Sequence, residues 1–191
     1  METTSSAPVT DRSRSATTLA AAGIFLVVAI VFLVSTPGWY LVFKTVHVLA
    51  AIVWLGGGAM LVTLAVLAQR RNDRAYLAQI ARQAGFCGER IFAPAGLVVV
   101  AMGIAMMING DLDWGQFWVI AGLVGYATTF VVGIAVLSPV GKKVNASIEA
   151  NGLDHPETEA LIDRTLVIAR FDIAMLLLVV VDMVAKPFSY G

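Results

Sequence analysis

The sequence predicts an all-α protein, a polytopic membrane bundle of five transmembrane helices, on the strength of three observations. Of its 191 residues, 59% are hydrophobic and 14% are charged, and the mean hydropathy is +0.83; an ordinary soluble domain carries about 25% charge. The apolar residues gather in five runs of at least 18 residues, close to the ~20 that cross a hydrocarbon core as a helix. These runs lack the alternation of apolar and polar residues that the strands of a membrane β-barrel show.

The five predicted spans are residues 16–34, 39–68, 91–108, 114–137 and 166–185. Residues 1–15 are predicted to be a disordered cytoplasmic N-terminus, residues 16–34 a separate first transmembrane helix, and residues 39–187 a four-helix membrane domain. A cleaved signal peptide is the alternative interpretation of residues 16–34. It is disfavoured because the run is long for the apolar region of a signal peptide and no A-x-A site precedes the turn at residues 35–38.

Basic residues are divided unevenly between the two sides of these spans. One side holds only Lys44 and Lys186. The other side holds eleven basic residues, namely Arg12, Arg14, Arg70, Arg71, Arg74, Arg82, Arg90, Lys142, Lys143, Arg164 and Arg170. Because short loops rich in Lys and Arg remain in the cytoplasm, the sequence predicts a multi-pass protein of the inner (plasma) membrane, with a cytoplasmic N-terminus and an external C-terminus.

The two inner connections have helical patterns of their own. Between residues 69 and 90 apolar residues recur at helical spacing opposite arginines, which predicts either a short helix on the cytoplasmic leaflet or a solvated helical hairpin. Pro156 occupies a favourable first helical position, and the helix that it begins is predicted to continue into the fifth span.

Composition excludes several classes of function. The 13 basic and 13 acidic side chains cancel, so no global field favours a nucleic-acid partner. The single Cys87 excludes an internal disulfide and a Cys-rich zinc or iron–sulfur site. No nucleotide-binding loop, nucleophile elbow or HExxH motif is present in the sequence. The lipid bilayer is therefore the partner that the sequence identifies, and the oligomeric state stays open.

Ionisable side chains inside a span need a partner or a function, and four qualify: Lys44, His47, Asp172 and Asp182. Asp182 lies one turn before Lys186, and either Lys186 or Lys44 is its predicted ion-pair partner. Asp172 lies nearer the cytoplasmic end of the same span, where Arg90 or Arg170 is the predicted partner. Both pairs are interpreted as structural.

His47 is the only histidine within a predicted span. Lys44, Ala51 and Gly58 lie on the same helical face at roughly one-turn steps. An imidazole there can ligate haem iron or copper, relay a proton, or form a structural hydrogen bond. The small residues on this face would leave room for a flat cofactor or, alternatively, for close helix packing.

Methionines in the third span offer a second kind of ligand. The thioethers of Met102 and Met106 can bind Cu(I) or supply an axial ligand to haem iron, or they can simply fill gaps between helices. Because the spans contain a single histidine, a haem with two histidine ligands cannot form within one chain.

The string KTVHVLAAIVWLGGG, residues 44–58, resembles the opening of a bacterial family of predicted integral membrane proteins, domain of unknown function two-two-six-nine. The resemblance extends through FAPAG at residues 92–96, the span at residues 114–139 and DMVAKP at residues 182–187. It covers about residues 40–187 and leaves residues 16–34 outside.

More distantly, the K-x-x-H opening and the closing Lys186-Pro187-Phe188 look like HemJ-type protoporphyrinogen oxidases and CopD copper-resistance membrane proteins. The first resemblance implies haem b, held through His47 and Lys44, and a redox role with a porphyrin as partner. The second implies copper handling. Two classes of function therefore stay open, a haem-binding redox protein and a non-catalytic or copper-handling membrane component.

The uneven distribution of basic residues makes a testable prediction about topology. Alkaline phosphatase fused after Gly191 should be active, because it would be exported, whereas the same enzyme fused after Asn151 should be inactive. Activity in intact cells, normalised to fusion protein level, measures the difference, and the reverse pattern would contradict the topology.

Overall fold

The computed structural model describes residues 38–189, together with Val27 and Val31, and these residues are helical apart from short turns. Three helical stretches are long and apolar enough to cross a membrane, namely Trp39–Arg70, Arg74–Asn109 and Phe117–Asn151. A further helix of 30 residues covers Pro156–Ala185. The all-α prediction is confirmed. Among the described residues, three helices rather than five have the length and composition of a span.

Two predicted spans account for this difference. Residues 16–34 lie outside the described residues, except for Val27 and Val31, which are helical. Residues 166–185 lie within Pro156–Ala185, where Arg170, Asp172 and Asp182 interrupt the apolar sequence. Charged side chains are costly in hydrocarbon, so this helix is set apart from the three apolar ones by its composition and not by its length.

The first two helices join at a tight turn. Helix α1 is Trp39–Arg70; it follows Gly38, whose φ of +94° suits glycine. Helix α2 is Arg74–Cys87, and the Asp73 side chain accepts a hydrogen bond from the Tyr76 backbone N–H at 3.0 Å. Asp73 thus satisfies one of the amide groups that are unpaired at any helix start.

A π-helical segment interrupts each of the next two helical stretches. Gly88–Phe92 joins α2 to α3, Ala93–Asn109, and Val132–Leu137 joins α4, Phe117–Val131, to α5, Ser138–Asn151. In each, an amide bonds five residues back, from Ala93 to the Gly88 carbonyl and from Ser138 to the Gly133 carbonyl. A proline lies two residues beyond the end of each segment, Pro94 after the first and Pro139 after the second. Its ring displaces the carbonyl four residues back, which explains the widened turn.

The last helix, α6, is Pro156–Ala185, and it begins at the predicted proline. The ring of exposed His155 accepts a hydrogen bond from the Glu157 N–H at 3.4 Å. The helix ends at Lys186, which has a left-handed φ of 45° and donates its N–H to the Asp182 carbonyl at 2.8 Å. The predicted continuation of this helix into residues 166–185 is confirmed.

One end of the described bundle carries the α1–α2 and α5–α6 connections and most of its basic residues; we call it the basic end. Its core contains Ala68 of α1, Leu77 and Ile80 of α2, Val144 of α5 and Ile162 of α6. The apolar face of α2 therefore packs against other helices. The expectation that this face lies on the membrane leaflet is corrected, because protein side chains cover it.

Small residues bring α4 and α6 together. A Cβ atom added to Gly125 would overlap Cγ2 of Val179, and one added to Gly122 would overlap Cε of Met183. Close backbone approach through glycine is the usual means of joining helices in a membrane. These two glycines therefore set the spacing of the α4–α6 contact.

We expect Gly125→Ala to lower the free energy of unfolding by about 1–3 kcal/mol, because the stiff, β-branched Val179 cannot move aside easily. Gly122→Ala should have a smaller effect although its contact is shorter, since the end of the Met183 side chain is flexible. Unfolding in mixed micelles with increasing SDS, followed by circular dichroism, measures the free energy of unfolding of each variant and shows which is less stable.

Gly56→Ala is the matched control, because a Cβ there would meet nothing within 4 Å. It should leave the stability unchanged or raise it by about 0.5–1 kcal/mol through helix propensity. A Gly125→Ala variant as stable as the Gly56→Ala variant would contradict the assignment of a tight α4–α6 contact.

Candidate functional site

The His47 side chain is held against α3. Its Nδ1 lies 2.7 Å from the Val99 carbonyl oxygen, and a Cβ on Gly103 would lie 3.4 Å from the imidazole Cε1. Because the partner is a carbonyl, Nδ1 carries the proton and donates it. In a neutral ring Nε2 is then an acceptor and a potential ligand, as in metal-binding histidines oriented by a backbone carbonyl.

The other residues of the predicted cofactor face do not all gather around His47. Lys44 is exposed and Ala51 is half-buried. Gly58 lies eleven residues beyond His47, about 16 Å along the helix. A Cβ on Gly58 would lie 3.0 Å from Cδ1 of Ile173 in α6. Gly58 therefore accommodates α6 and does not provide space beside the imidazole.

Met102 and Met106 are half-buried in α3. The His47 ring lies against Val99 and Gly103 of the same helix. The described part of the chain contains no group of three or more His, Cys, Asp or Glu side chains arranged to hold a metal ion. A site built from His47 and a methionine stays a prediction.

The predicted ion pairs are not formed among residues 38–189, where the salt bridges join Arg74 to Asp154 and Glu159, and Lys142 to Glu89. Lys186 instead places its Nζ 4.6 Å from the centre of the Trp118 ring, a favourable cation–π contact. Asp182 packs against α4, where its Oδ2 would lie 3.5 Å from a Cβ on Gly122 and has no hydrogen-bond partner. Among the described residues, Asp172 and Arg90 form no salt bridge either.

Asp172 and Arg90 do face the same space, a cavity of about 730 Å³. Its walls come from both π-helical segments and from all six helices, α3 contributing its first residue, Ala93. The cavity runs from the basic end, at Lys142 and Asn145, to Trp54 and Leu176 deeper in the bundle. None of His47, Lys44, Met102 or Met106 lines it. The structure thus separates the predicted histidine site from the cavity.

The cavity wall is largely apolar and aromatic. Trp54, Phe92 and Phe130 line it, and the Trp54 and Phe130 rings meet edge to face at 6.3 Å between centroids. Two polar atoms of the wall residues, Oδ1 of Asp172 and Oδ1 of Asn145, are buried without a hydrogen-bond partner. An apolar concavity with a few polar groups is the usual form of a small-molecule site.

Acidic and basic side chains surround the cavity where it opens at the basic end. Arg82, Glu89, Arg90 and Lys142 all line it and are all exposed. Lys142 Nζ lies 2.8 Å from a Glu89 carboxylate oxygen, so this ion pair connects the first π-helical segment with α5. Within residues 38–189, Arg82 and Arg90 form no salt bridge.

The sequence pattern identified Asp172, Arg90 and Gly58, but it did not identify the cavity that they share. Asn145, Phe92 and Phe130 were missed because they look like ordinary helix residues. The prolines after each π-helical segment were an available signal, since π-helical turns often occur at functional sites.

Comparison with known proteins places the chain in a family context. A family model described as "Predicted integral membrane protein (DUF2269)" matches residues 41–187. No curated protein and no solved structure matches the chain. The family match agrees with the resemblance noted for residues 40–187, and the more distant likeness to HemJ-type and CopD proteins stays a prediction.

Proposed function

This chain belongs to the family of predicted integral membrane proteins described as DUF2269, and we propose that it binds an apolar small molecule within the membrane. The observation that carries the proposal is the cavity of about 730 Å³, whose wall includes the unpaired Asp172 and Asn145. This function falls within the class of non-catalytic membrane components that the sequence left open, although the sequence did not predict a small-molecule ligand.

The size and lining of the cavity support this function. Small-molecule sites commonly occupy about 300–1,000 Å³ and combine apolar walls with a few polar groups. Both π-helical segments contribute to the wall, through Gly88 and Phe92 in one and Gly133 and Ile134 in the other. Such segments occur frequently at functional sites. That both of them line the same cavity supports a functional role for it.

We also propose the complete topology that the sequence predicts, with residues 16–34 and 166–185 as further spans in an inner membrane. The eleven-to-two distribution of basic residues supports a cytoplasmic location for the basic end. The cavity then opens in the cytoplasmic half of the membrane, where a molecule dissolved in the inner leaflet can reach it.

An uncharged naphthalene bearing an aryl diazirine is a suitable probe of the cavity. Irradiation of purified protein in nanodiscs should label peptides from residues 54–65 and 162–176, and excess naphthalene should reduce that labelling. Ala169→Phe should lower it at least about fivefold, because the aromatic ring occupies a cavity of fixed size. Mass spectrometry of the labelled peptides measures the change.

Gly56→Leu is the control for an added side chain outside the cavity, since Gly56 faces open space and does not line the site. Its labelling should equal that of the wild type. Labelling that naphthalene does not reduce, or that Ala169→Phe leaves unchanged, would mean simple partition into lipid and would contradict the proposed function.

A second candidate is a haem b site at His47, which the hydrogen bond from Nδ1 to the Val99 carbonyl favours. That bond leaves Nε2 as the ligand atom, and the exposed Lys44 one turn away could meet a propionate. Ala51 fits this site, whereas Gly58 is too far along the helix. Bound haem would supply redox chemistry, and copper bound by the same imidazole is the corresponding alternative.

Two substitutions separate a haem ligand from a structural histidine. His47→Asn places an amide near the position of Nδ1 and can still donate to the Val99 carbonyl, whereas His47→Ala cannot. If His47 is a haem ligand, both variants should lose at least about tenfold of the haem measured by the pyridine haemochrome assay. If it is structural, only His47→Ala should lose stability, by about 0.5–1.5 kcal/mol. Haem-free wild-type protein from haem-replete cells would contradict the haem site.

A further inference from the structure

Building on the proposed cavity function, we propose that Asp172 is the counter-ion for an organic ammonium compound bound in the cavity. The ligand class is an amine with an aromatic or branched apolar body. The juxtaposition that points to it is a buried, unpaired carboxylate in the wall of a cavity that four aromatic residues also line, namely Trp54, Phe86, Phe92 and Phe130.

Asp172 is held in place on α6 without a partner of its own. Its exposed fraction is 8%, its Oδ1 has no hydrogen bond, and the next residue, Ile173, packs against α1 at Gly58. A carboxylate taken out of water needs a cation or several hydrogen-bond donors, because removing it from water without a partner is costly. Within residues 38–189 the structure supplies no such group, so a ligand can supply it.

Cationic side chains face the same cavity, but at its rim. Arg82 and Arg90 are exposed, and Lys142 is also exposed and paired with Glu89. Exposed charges interact through a high effective dielectric, so they attract each other weakly, whereas a partly buried pair gains several times more. The buried carboxylate therefore dominates the electrostatics deep in the cavity, and the rim charges act mainly on entry.

The aromatic residues of the wall suit the same ligand. Trp54, Phe92 and Phe130 line the cavity, and the face of an aromatic ring attracts an ammonium group. The unsatisfied atoms of Asp172 and Asn145 are both hydrogen-bond acceptors. An ammonium group is a donor only, so it complements the polar atoms that the cavity leaves unpaired.

Two other amphiphiles fit less of the observed chemistry. An anionic molecule could place its head at Arg82 and Arg90, but Asp172 would stay unpaired beside its apolar body. An alcohol could donate one hydrogen bond to Asp172 without neutralising its charge. Charge-assisted hydrogen bonds are roughly twice as strong as neutral ones, so the three ligand classes should differ in affinity.

The test uses competition against the uncharged naphthalene diazirine probe in full-length protein in nanodiscs. The competitors are 2-naphthylethylammonium, 2-naphthylethanol and 2-naphthylacetate, which differ mainly in the head group. In wild type the ammonium compound should compete at a concentration at least about tenfold lower than the alcohol. Competition is scored on the cavity peptides alone, which separates it from partition into the lipid.

Asp172→Asn should remove the advantage of the ammonium compound while the probe still labels the cavity. Asp182→Asn is the matched control, because Asp182 is on the same helix and also has an unpartnered oxygen but does not line the cavity. It should keep the advantage. Loss of the advantage in Asp182→Asn as well would overturn the assignment to Asp172.

The outcomes for the two proposals differ. If wild type is labelled but the ammonium compound and the alcohol compete equally, or the anion competes best, the cavity function stands and the ammonium proposal fails. If no competitor reduces the labelling, both fail. Should Asp172→Asn not fold, the comparison of head groups in the wild type still decides, because equal competition overturns the proposal.

Discussion

Backbone hydrogen bonding is the constraint on which the rest of this structure depends. Inside hydrocarbon each peptide N–H and C=O must find a partner within the protein, so the chain crosses in helices and tolerates few interruptions. Pro94 and Pro139 each remove a donor, and the preceding turns widen to the π form and do not break. Both widened turns lie in the wall of one cavity. The same constraint that makes the helices long therefore also shapes the site.

Side-chain size decides how closely each helix approaches its neighbours. Gly122 and Gly125 let α6 reach α4, whereas the large rings of Trp54 and Phe130 meet where α1 faces α4. The backbone of α1 accordingly stays farther from the other helices than α4 does from α6. Side chains close part of this gap, and Phe92 reaches the α1 backbone at Gly57. The part of the gap that these side chains leave empty is the cavity.

The helices were predictable from the sequence because the preference for lipid is summed over about 20 residues. The start of α6 was equally predictable, since Pro156 fits a first helical turn. The partners of individual side chains were harder to predict from the sequence. Charge and spacing suggested Asp172 with Arg90, yet within residues 38–189 the two line the same cavity without forming a salt bridge. His47 was found as a lone imidazole, but its carbonyl partner depends on how α1 packs on α3. A cavity has no residue pattern of its own, because it consists of space that several separate elements leave empty.

Helix α6 shows how the bundle, and not the lipid, must accommodate charge. Asp172 and Asp182 are ten residues apart, which corresponds to about 15 Å of helical rise. A hydrocarbon core is about 30 Å thick, so if α6 crosses the membrane at least one carboxylate lies within it. Each faces protein: Asp182 lies against the backbone of α4 at Gly122, and Asp172 lies in the cavity wall. Asp172 lines a cavity large enough for a molecule, whereas Asp182 does not line that cavity. For that reason the two similar carboxylates on one helix differ in the chemistry open to them.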